Sequence, residues 1–167
     1  MKLLKSIKHQ ELFPEEILGE IKKYEKRQAA RAIVFDVEEK IAILKVANKN
    51  YHKLPGGGVE EGENLQIALE REMLEEIGSK VLVTGEVGRI LEYRDRWNLE
   101  NESFCYLAKV DGEKGQPDFT EGEKENGFKL IWISVEEAIE KIKSDKPIDY
   151  EGKFIQVRDL CFLENIN

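Results

Sequence analysis

Three glutamates near the end of one helix-like stretch are the residues best suited to chemistry. The stretch LPGGGVEEGENLQIALEREMLEEIGS, residues 54–79, gathers Glu72, Glu75 and Glu76 in its last turns. On a helix these carboxylates converge at i+3 and i+4 spacing, although each like-charged neighbour costs about 0.2–0.5 kcal/mol. Acids in a last turn also oppose the helix dipole. Clustered carboxylates suit Mg²⁺ or Mn²⁺, which prefer oxygen ligands, whereas the alternative is a solvated acidic helix face.

The glycines before this helix favour a close approach of backbone to a ligand. Gly56, Gly57 and Gly58 follow a strand-like run and Pro55. Glycine permits positive φ and leaves the backbone bare, so a carbonyl here is a candidate hard-oxygen ligand. An ordinary glycine-rich turn is the alternative. A P-loop is excluded because no Gly-Lys-Ser/Thr follows, and a dinucleotide fingerprint is excluded because Glu61 takes its third glycine position.

The elements that must position these residues are predicted from periodicity and turn residues. Asn64 is expected to cap the acidic helix and Gly78 to end it. Helices are expected at 14–27, 64–77, 134–143 and 150–163. Strands are expected at 30–35, 40–46, 80–93, 103–110 and 129–133, with turns or bulges at Gly85 and Gly88. Loops are expected at 48–53, 94–102 and 111–127, the last long enough to be functional.

This order predicts a mixed sheet with helices packed on both faces. Within it, the first predicted helix has an apolar stripe of Ile17, Leu18, Ile21 and Tyr24. A basic group lies towards its C-terminal end, where it complements the helix dipole, and is interpreted as a solvated face: Lys22, Lys23, Lys26 and Arg27.

Composition and charge exclude several classes of protein. With 167 residues and a net charge of −8, the chain is not expected to be a general nucleic-acid binder, which would need a basic face for the phosphate backbone. No apolar run approaches the roughly 20 residues of a membrane span, so no membrane partner is expected. Cys105 and Cys161 have no metal-ligand spacing and lie in apolar contexts, which is typical of free thiols in a reducing cytoplasm. Two histidines, His9 and His52, do not make a zinc site.

The stretch that holds the three acids resembles the signature of the Nudix hydrolases. That signature is Gly, five residues, Glu, seven residues, Arg-Glu, an apolar residue, any residue, Glu-Glu, any residue, Gly and an apolar residue. The matching residues are Gly57, Glu63, Arg71, Glu72, Met73, Glu75, Glu76 and Gly78. One departure, Ser79 at the final apolar position, bears on packing more than on catalysis.

The resemblance implies a fold, an enzyme and a set of metal ligands. The fold is an αβα sandwich of the α+β or α/β class, with 29–167 as the Nudix domain and 1–28 as an N-terminal helical extension. The enzyme hydrolyses a diphosphate bond in a small-molecule nucleoside diphosphate derivative and uses Mg²⁺ or Mn²⁺. The implied ligands are the Gly56 carbonyl, Glu72, Glu75 and Glu76. Arg71 is expected to orient these carboxylates.

A further acid is implied from a distant loop. Within 111–127 the candidates are Glu121, Glu123 and Glu125, of which Glu123 is selected as a catalytic residue. Either this acid or one of the motif glutamates deprotonates the attacking water. Glu63 is expected to be a structural partner where the glycine loop meets the helix.

Substrate recognition has the weakest sequence signal. Arg94 and Arg96 are candidates for phosphate, and aromatic side chains are candidates for stacking on a base, although core packing is the alternative for each. The aromatic candidates are Tyr93, Trp97, Phe104, Tyr106, Phe119 and Phe128. Tyr93, Arg94 and Phe104 are selected as substrate-binding residues. The group beyond the diphosphate stays unidentified, and a homodimer is among the oligomeric states left open.

Two other function classes compete with the enzyme. A nucleotide-sensing module with this fold and no turnover would be favoured by degenerate acids, whereas the acids here are intact. A non-enzymatic interaction protein would need an apolar outer face on the first and last helices. The single apolar stripe of the first predicted helix does not supply one.

Overall fold

The computed structural model describes residues 1–21 and 23–166 and contains strands and helices in alternating groups. Its strands are β1 Leu3–Lys8, β2 Glu25–Phe35, β3 Ile41–Val46, β4 Tyr51–Lys53, β5 Gly56–Gly58, β6 Val81–Arg94, β7 Leu99–Val110 and β8 Phe128–Ile133. Its α-helices are α1 His9–Leu12, α2 Leu65–Ile77, α3 Glu121–Glu125, α4 Val135–Ser144 and α5 Tyr150–Leu163. Short 3₁₀ turns occupy Ala47–Lys49 and Asp95–Trp97.

Within the described residues the strands form one mixed sheet, as predicted. Its order is β1-β6-β7-β2-β3-β4, with β5 also paired to β2 and β8 paired to β3. The pairs β1–β6 and β2–β7 are parallel, and the others are antiparallel. Because Arg31 lies opposite Gly56 in the β2–β5 pair, the glycine loop is itself part of the sheet.

Helices cover both faces of the sheet, which confirms the αβα sandwich. On one face α2 packs against β2 through a cluster that includes Ala30, Ala32, Leu69 and Met73. On the other face α4 and α5 pack against a cluster that includes Ile33, Ile43, Ile142, Phe154 and Phe162. The small alanines of β2 let α2 approach the sheet closely. Burial of each large aliphatic side chain stabilises the fold by about 1.5–3 kcal/mol.

The helix predicted at 14–27 is wrong. The described residues from Phe13 to Tyr24 are not helical, and β2 begins at Glu25. Ile17 of the supposed apolar stripe is 95% exposed, so no packing stabilises a helix there. From Glu25 onward the chain pairs with β7, and sheet pairing overrides local helix propensity. Lys22 lies outside the described residues, and the domain boundary at residue 28 stays a prediction.

Most other elements agree with the sequence, and the misses are short. The helix at 150–163 is confirmed, and β6 has register shifts at Gly85 and Gly88, where bulges were expected. The predicted loop 48–53 contains β4, and the predicted loop 94–102 contains the start of β7. The loop 111–127 contains α3. The structure of these short segments depends on contacts with neighbouring elements, and the hydrophobic periodicity of a short segment does not reveal such contacts.

The described residues contain no helix with the length and apolar character to cross a bilayer. Both cysteines are free thiols, as predicted, with Cys105 buried and Cys161 partly buried. Burial raises the pKa of each thiol, which favours the protonated form.

Candidate active site

The helix α2 holds the predicted metal-binding acids against the glycine loop. It begins after Asn64, whose side-chain oxygen accepts a hydrogen bond from the Ile67 backbone N–H at 3.0 Å. It ends at Gly78, which has φ of 64° and so takes the left-handed conformation expected of a helix end. Glu72 and Glu76, one turn apart, are buried on the side that faces β5, at 8% and 1% exposure.

Two of the glycines are required by close contacts. Gly56 has φ of 128°, and a Cβ there would lie 2.3 Å from the carbonyl oxygen of Ala30. A Cβ on Gly57 would lie 2.2 Å from Oε1 of Glu72. The bare backbone of β5 therefore lets a carboxylate of α2 lie directly against it, a position that any side chain would block.

Glu76 is bound on both carboxylate oxygens. Its Oε2 accepts from the Gly56 backbone N–H at 2.6 Å, and its Oε1 accepts from Lys53 Nζ at 2.6 Å. Lys53 Nζ also donates to the Gly56 carbonyl at 3.1 Å. Burial raises the pKa of Glu76 to about 7, and the nearby Lys53 charge opposes that rise. The Lys53 ammonium thus bridges two of the predicted metal ligands.

Arg71 links the acids to one another and to the glycine loop. Its Nε and Nη2 donate to the two carboxylate oxygens of Glu63 at 2.8 and 3.0 Å, and Nη2 also donates to the Gly58 carbonyl at 3.0 Å. Its Nη1 donates to Glu72 at 2.8 Å and to Glu75 at 3.4 Å. The hydrogen bond from Arg71 lowers the pKa of Glu63 to about 2. Arg71 contacts each carboxylate that it is expected to orient except that of Glu76, and Glu63 lies at the predicted junction.

The donor set fits a divalent cation by its chemistry, although its carboxylates face protein cations. Among the residues described, no three His, Cys, Asp or Glu side chains converge closely enough to hold an ion. Glu72 and Glu75 face Arg71, and Glu76 faces Lys53. The Lys53 ammonium already places positive charge between the Glu76 carboxylate and the Gly56 carbonyl. These oxygens would hold Mg²⁺ or Mn²⁺ once the ion replaces that ammonium.

The 111–127 loop docks on the end of α2. The Asp118 backbone N–H donates to the Glu75 carbonyl at 2.7 Å, and the Gly115 N–H donates to Ser79 Oγ at 3.2 Å. Ser79 is buried, so the departure from the apolar signature position gives the loop a hydrogen-bond acceptor. The loop therefore carries its acids towards the acidic helix.

Glu123 lies in electrostatic range of α2 without touching its acids. Its carboxylate accepts from the Thr120 backbone N–H at 2.8 Å and so caps the start of α3. Burial raises the pKa of Glu75, the charge of Glu72 adds to the rise, and the charge of Glu123 contributes to it. Glu121 is paired instead with a lysine of its own helix.

A cavity of about 220 Å³ lies beside Gly56 and Gly57. The other lining residues that the structure describes include one acid, Glu151, and two aromatic side chains, Tyr51 and Phe128. Its basic lining residues are Arg27, Arg31, Lys49, Lys53 and Arg94. In a chain with a net charge of −8, this is a local concentration of positive charge.

Of the three predicted substrate-binding residues, Arg94 lines this cavity, whereas Tyr93 and Phe104 do not. Arg94 lines it, while its guanidinium is paired with Glu92 at 3.1 Å and Glu151 at 2.7 Å. Tyr93 and Phe104 are not among the lining residues, since alternate residues of a strand point to opposite faces. Tyr93 instead packs against a tyrosine ring from the segment before β2.

Of the other candidates, Phe128 lines the cavity. Arg96 is directed elsewhere, because it is paired with Glu16 at 3.0 Å and lies over the Phe13 ring. The sequence does not predict Arg31 and Lys53 as site residues, although both contact the Gly56 carbonyl. A charged residue inside the apolar run AARAIVF is the signal that could have identified Arg31. Arg27, interpreted as part of a solvated helix face, lies instead on β2.

Comparisons with known proteins give a family and a fold. The model of the family described as "NUDIX domain" matches residues 25–152. Diphosphoinositol polyphosphate phosphohydrolase 2 of Rattus norvegicus is 28% identical over 131 residues, which cover 75% of this chain and 68% of that protein.

Two solved structures resemble the chain. The solution structure of the E. coli ORF135 protein has a TM-score of 0.59 at 21% identity and covers 85% of this chain and 89% of that one. The crystal structure of an ADP-ribose pyrophosphatase from Streptococcus suis has a TM-score of 0.53 at 22% identity, covering 83% and 90%. At these identities the two likenesses establish the fold.

Proposed function

The chain belongs to the NUDIX domain family and is a Nudix-type hydrolase, and we propose that it is a metal-dependent pyrophosphohydrolase acting on a nucleoside diphosphate derivative. The observation that carries the proposal is the contact of Glu72 and Glu76 with the β5 backbone. Arg71 fixes Glu72 from one side, and the Gly56 N–H fixes Glu76 from the other. Such preorganised oxygens suit a reaction that depends on charge neutralisation.

The metal ligands in this proposal are Glu72, Glu75, Glu76 and the Gly56 carbonyl. A bound Mg²⁺ or Mn²⁺ would neutralise phosphate oxygens and make a bound water more acidic. Water attacks phosphorus, the bridging P–O bond breaks, and the leaving phosphate departs with the bond electrons. The water proton passes to a carboxylate, for which Glu75 and Glu123 are the candidates.

Two observations separate these candidate bases. Glu75 is held by one long hydrogen bond, from Arg71 at 3.4 Å, whereas Glu76 is bound on both carboxylate oxygens, so Glu75 is freer to accept a proton. Glu123 caps its own helix and must leave Thr120 to take part. We therefore assign the proton to Glu75 and an electrostatic role to Glu123.

The substrate is proposed to be a small molecule that reaches the enzyme in the cytoplasm. The name of the rat relative refers to diphosphoinositol polyphosphates. A diphosphate on a phosphate-rich small molecule therefore joins nucleoside diphosphate derivatives as a substrate class to be tested.

A nucleotide-binding module without turnover is the second candidate function. The observation that favours it is the Lys53 ammonium, which already bridges the Glu76 carboxylate and the Gly56 carbonyl. A resident cation of this kind could hold a phosphate without any metal. In that case ligand would bind, and no metal would be required for binding.

The test is a product assay over a panel of nucleoside diphosphate derivatives and a diphosphoinositol polyphosphate, with Mg²⁺ or Mn²⁺. The Glu76→Gln variant is expected to lose at least about 100-fold in kcat, because it removes a charged metal ligand. Glu70→Gln is the matched control, since Glu70 lies exposed on the same helix and contacts Gln66. Turnover that needs no metal, or that is equal in wild type and Glu76→Gln, would contradict the proposal.

A further inference from the structure

A carboxylate of the last helix holds the chain just before the glycine strand. Asp159 lies on α5 and is fully buried, and its Oδ2 accepts a hydrogen bond from the Leu54 backbone N–H at 2.8 Å. We propose that Asp159 is a positioning residue, which fixes the β4–β5 connection, residues 53–56, against Glu76. This inference rests on the proposed function, because it assigns Asp159 a part in placing two of the proposed metal ligands.

The β4–β5 connection carries both contacts of Glu76 at its ends. Lys53 Nζ donates to Oε1 of Glu76, and the Gly56 N–H donates to Oε2, both at 2.6 Å. Between these ends, Leu54 and Pro55 belong neither to β4, which ends at Lys53, nor to β5, which begins at Gly56. A shift of the connection would therefore move the two donors of Glu76 and the Gly56 carbonyl together.

Two hydrogen bonds anchor the middle of the connection. On the sheet side, the Pro55 carbonyl accepts from the Ala32 N–H of β2 at 3.2 Å. On the helix side, the Leu54 N–H donates to Asp159, because the pairing of β4 with β3 ends at Lys53. Proline has no N–H to donate. Asp159 is therefore the acceptor for the backbone N–H that lies between the two strands.

Asp159 is held in turn by a buried chain of charges. Its Oδ1 accepts from Nε of Arg158 at 2.7 Å, and Nη1 of Arg158 lies 3.6 Å from a carboxylate oxygen of Glu92 on β6. Glu92 is also paired with Arg94 at 3.1 Å. The side chains of Asp159, Arg158 and Glu92 are all fully buried. The carboxylate that accepts from the Leu54 N–H is thus fixed from α5 and, through Arg158, from β6.

Orientation accounts for this arrangement better than net stability does. A buried ion pair stabilises a fold little more than apolar side chains of the same volume, since desolvation offsets the attraction. A charged acceptor, however, forms a shorter and roughly twice stronger hydrogen bond than a neutral one. Asp159 therefore restrains the β4–β5 connection more tightly than a neutral side chain would.

Asp159 lies outside the pattern that identifies the family. The family's model matches residues 25–152 and so ends within the first turn of α5. The sequence signal of Asp159 is the charged pair Arg158-Asp159 within the largely apolar stretch FIQVRDLCFL, residues 154–163. A charge buried in such a stretch requires a specific partner, and here one partner is the backbone beside the acidic site.

Amide hydrogen exchange, followed by NMR on the metal-free protein, tests the restraint directly. The Leu54 and Gly56 amides of wild type should be protected, because each donates to a buried carboxylate. Asp159→Asn keeps the size of the side chain but removes its charge. In this variant both amides should exchange at least about 10-fold faster relative to amides at the centre of β7, which lies between β2 and β6.

Two controls separate a local restraint from a general loss of stability. Glu164→Gln removes an exposed acid at the end of α5 that pairs with Lys143, and its exchange should match that of wild type. Leu160→Ala removes apolar packing at the residue next to Asp159, and it should accelerate exchange evenly through the core.

Fast exchange of the Leu54 amide in wild type would overturn the inference even if Asp159→Asn does not fold. An Asp159→Asn variant in which exchange accelerates as evenly as in Leu160→Ala would overturn it as well. Both results are obtained without metal and without turnover.

Metal binding and turnover connect the restraint to the acidic site. In Asp159→Asn the Mn²⁺ affinity should fall at least about 3-fold and kcat at least about 10-fold, since a misplacement of about 1 Å costs up to about 100-fold in rate. Leu160→Ala should retain both values while it is folded. Faster exchange at Leu54 and Gly56 with unchanged Mn²⁺ affinity and kcat would show that Asp159 supports only the fold, and would overturn the inference while the proposed function stands.

Failure of the proposed function gives a different result. A wild-type protein without metal-dependent turnover would refute the proposed function. The exchange rates of the Leu54 and Gly56 amides would still decide whether Asp159 fixes the β4–β5 connection.

Discussion

The acidic face of α2 and the basic cavity lie on either side of one short strand, Gly56–Gly58, yet the chain encodes them differently. The acids fall within a single helix of 13 residues at fixed spacing. The cavity draws its basic side chains from β2, the Ala47–Lys49 turn, β4 and the end of β6. The residues of a site on one helix have a characteristic spacing in the sequence. The residues of a site that spans several strands are distant in the sequence, and only the fold brings them together.

The largest expected effect comes from adding a side chain to β5, the strand that lies between the acidic helix and the cavity. In Gly57→Ala, the added methyl group would overlap the Glu72 carboxylate, which must move away from β5. We expect kcat to fall at least about 100-fold and stability to fall only slightly, because the atoms that must move are the end of a flexible side chain. Steady-state kinetics and urea unfolding measure the two effects.

Gly19→Ala is the control for that substitution, because nothing lies within 4 Å of a Cβ at Gly19. Its kinetics and stability should match those of wild type. Wild-type activity in Gly57→Ala would mean that the contact between Glu72 and the glycine strand has no part in catalysis.

The next effect concerns Lys53, the residue that belongs to both regions. Lys53→Met leaves the buried Glu76 carboxylate without its cation, and removing one partner of a buried pair costs about 3–5 kcal/mol. We expect urea unfolding at pH 8 without metal to show a loss of about 3 kcal/mol. Added Mg²⁺ should recover more stability in the variant than in wild type, because ion and ammonium share the same oxygens. An equal gain in both proteins would show that they do not compete.

The smallest expected effect concerns the ion pair between Glu63 and Arg71, the arginine that also contacts Glu72 and Glu75. The pKa of Glu63 is lowered to about 2 in the folded protein, below its ordinary value, because Arg71 donates to it. Its stabilising contribution is therefore present above the unfolded-state pKa and is lost as the pH falls towards 2. The difference in unfolding free energy between wild type and Glu63→Gln should narrow from pH 7 to pH 3. A difference that stays constant with pH would remove the ion pair as its cause.

The sequence predicted the long, periodic elements correctly and failed where tertiary contacts decide the local structure, and its choice of metal-binding acids stays a prediction. The helix at 150–163, the cap at Asn64 and the bulges in β6 follow from local patterns. The segment 14–27 has a helical pattern, but its end pairs with β7 instead, and such pairing depends on residues about 70 positions away.

The same limit applies to the candidate sites. The predicted substrate-binding residues Tyr93 and Phe104 were chosen by residue type, and strand alternation turns them away from the cavity. Lys53 and Arg31 both donate to the Gly56 carbonyl because β5 pairs with β2 and β4 pairs with β3, the neighbour of β2. Residue type alone does not identify such partners.

The measurement closest to the central claim is a Mn²⁺ titration followed by electron paramagnetic resonance, which reports bound metal without a substrate. It compares wild type with the Glu72→Gln, Glu76→Gln double variant and with Glu70→Gln. We predict saturable Mn²⁺ binding to wild type and to Glu70→Gln, and a loss of at least about 10-fold in affinity in the double variant. Equal Mn²⁺ affinity in all three proteins would contradict the claim that these carboxylates hold the metal.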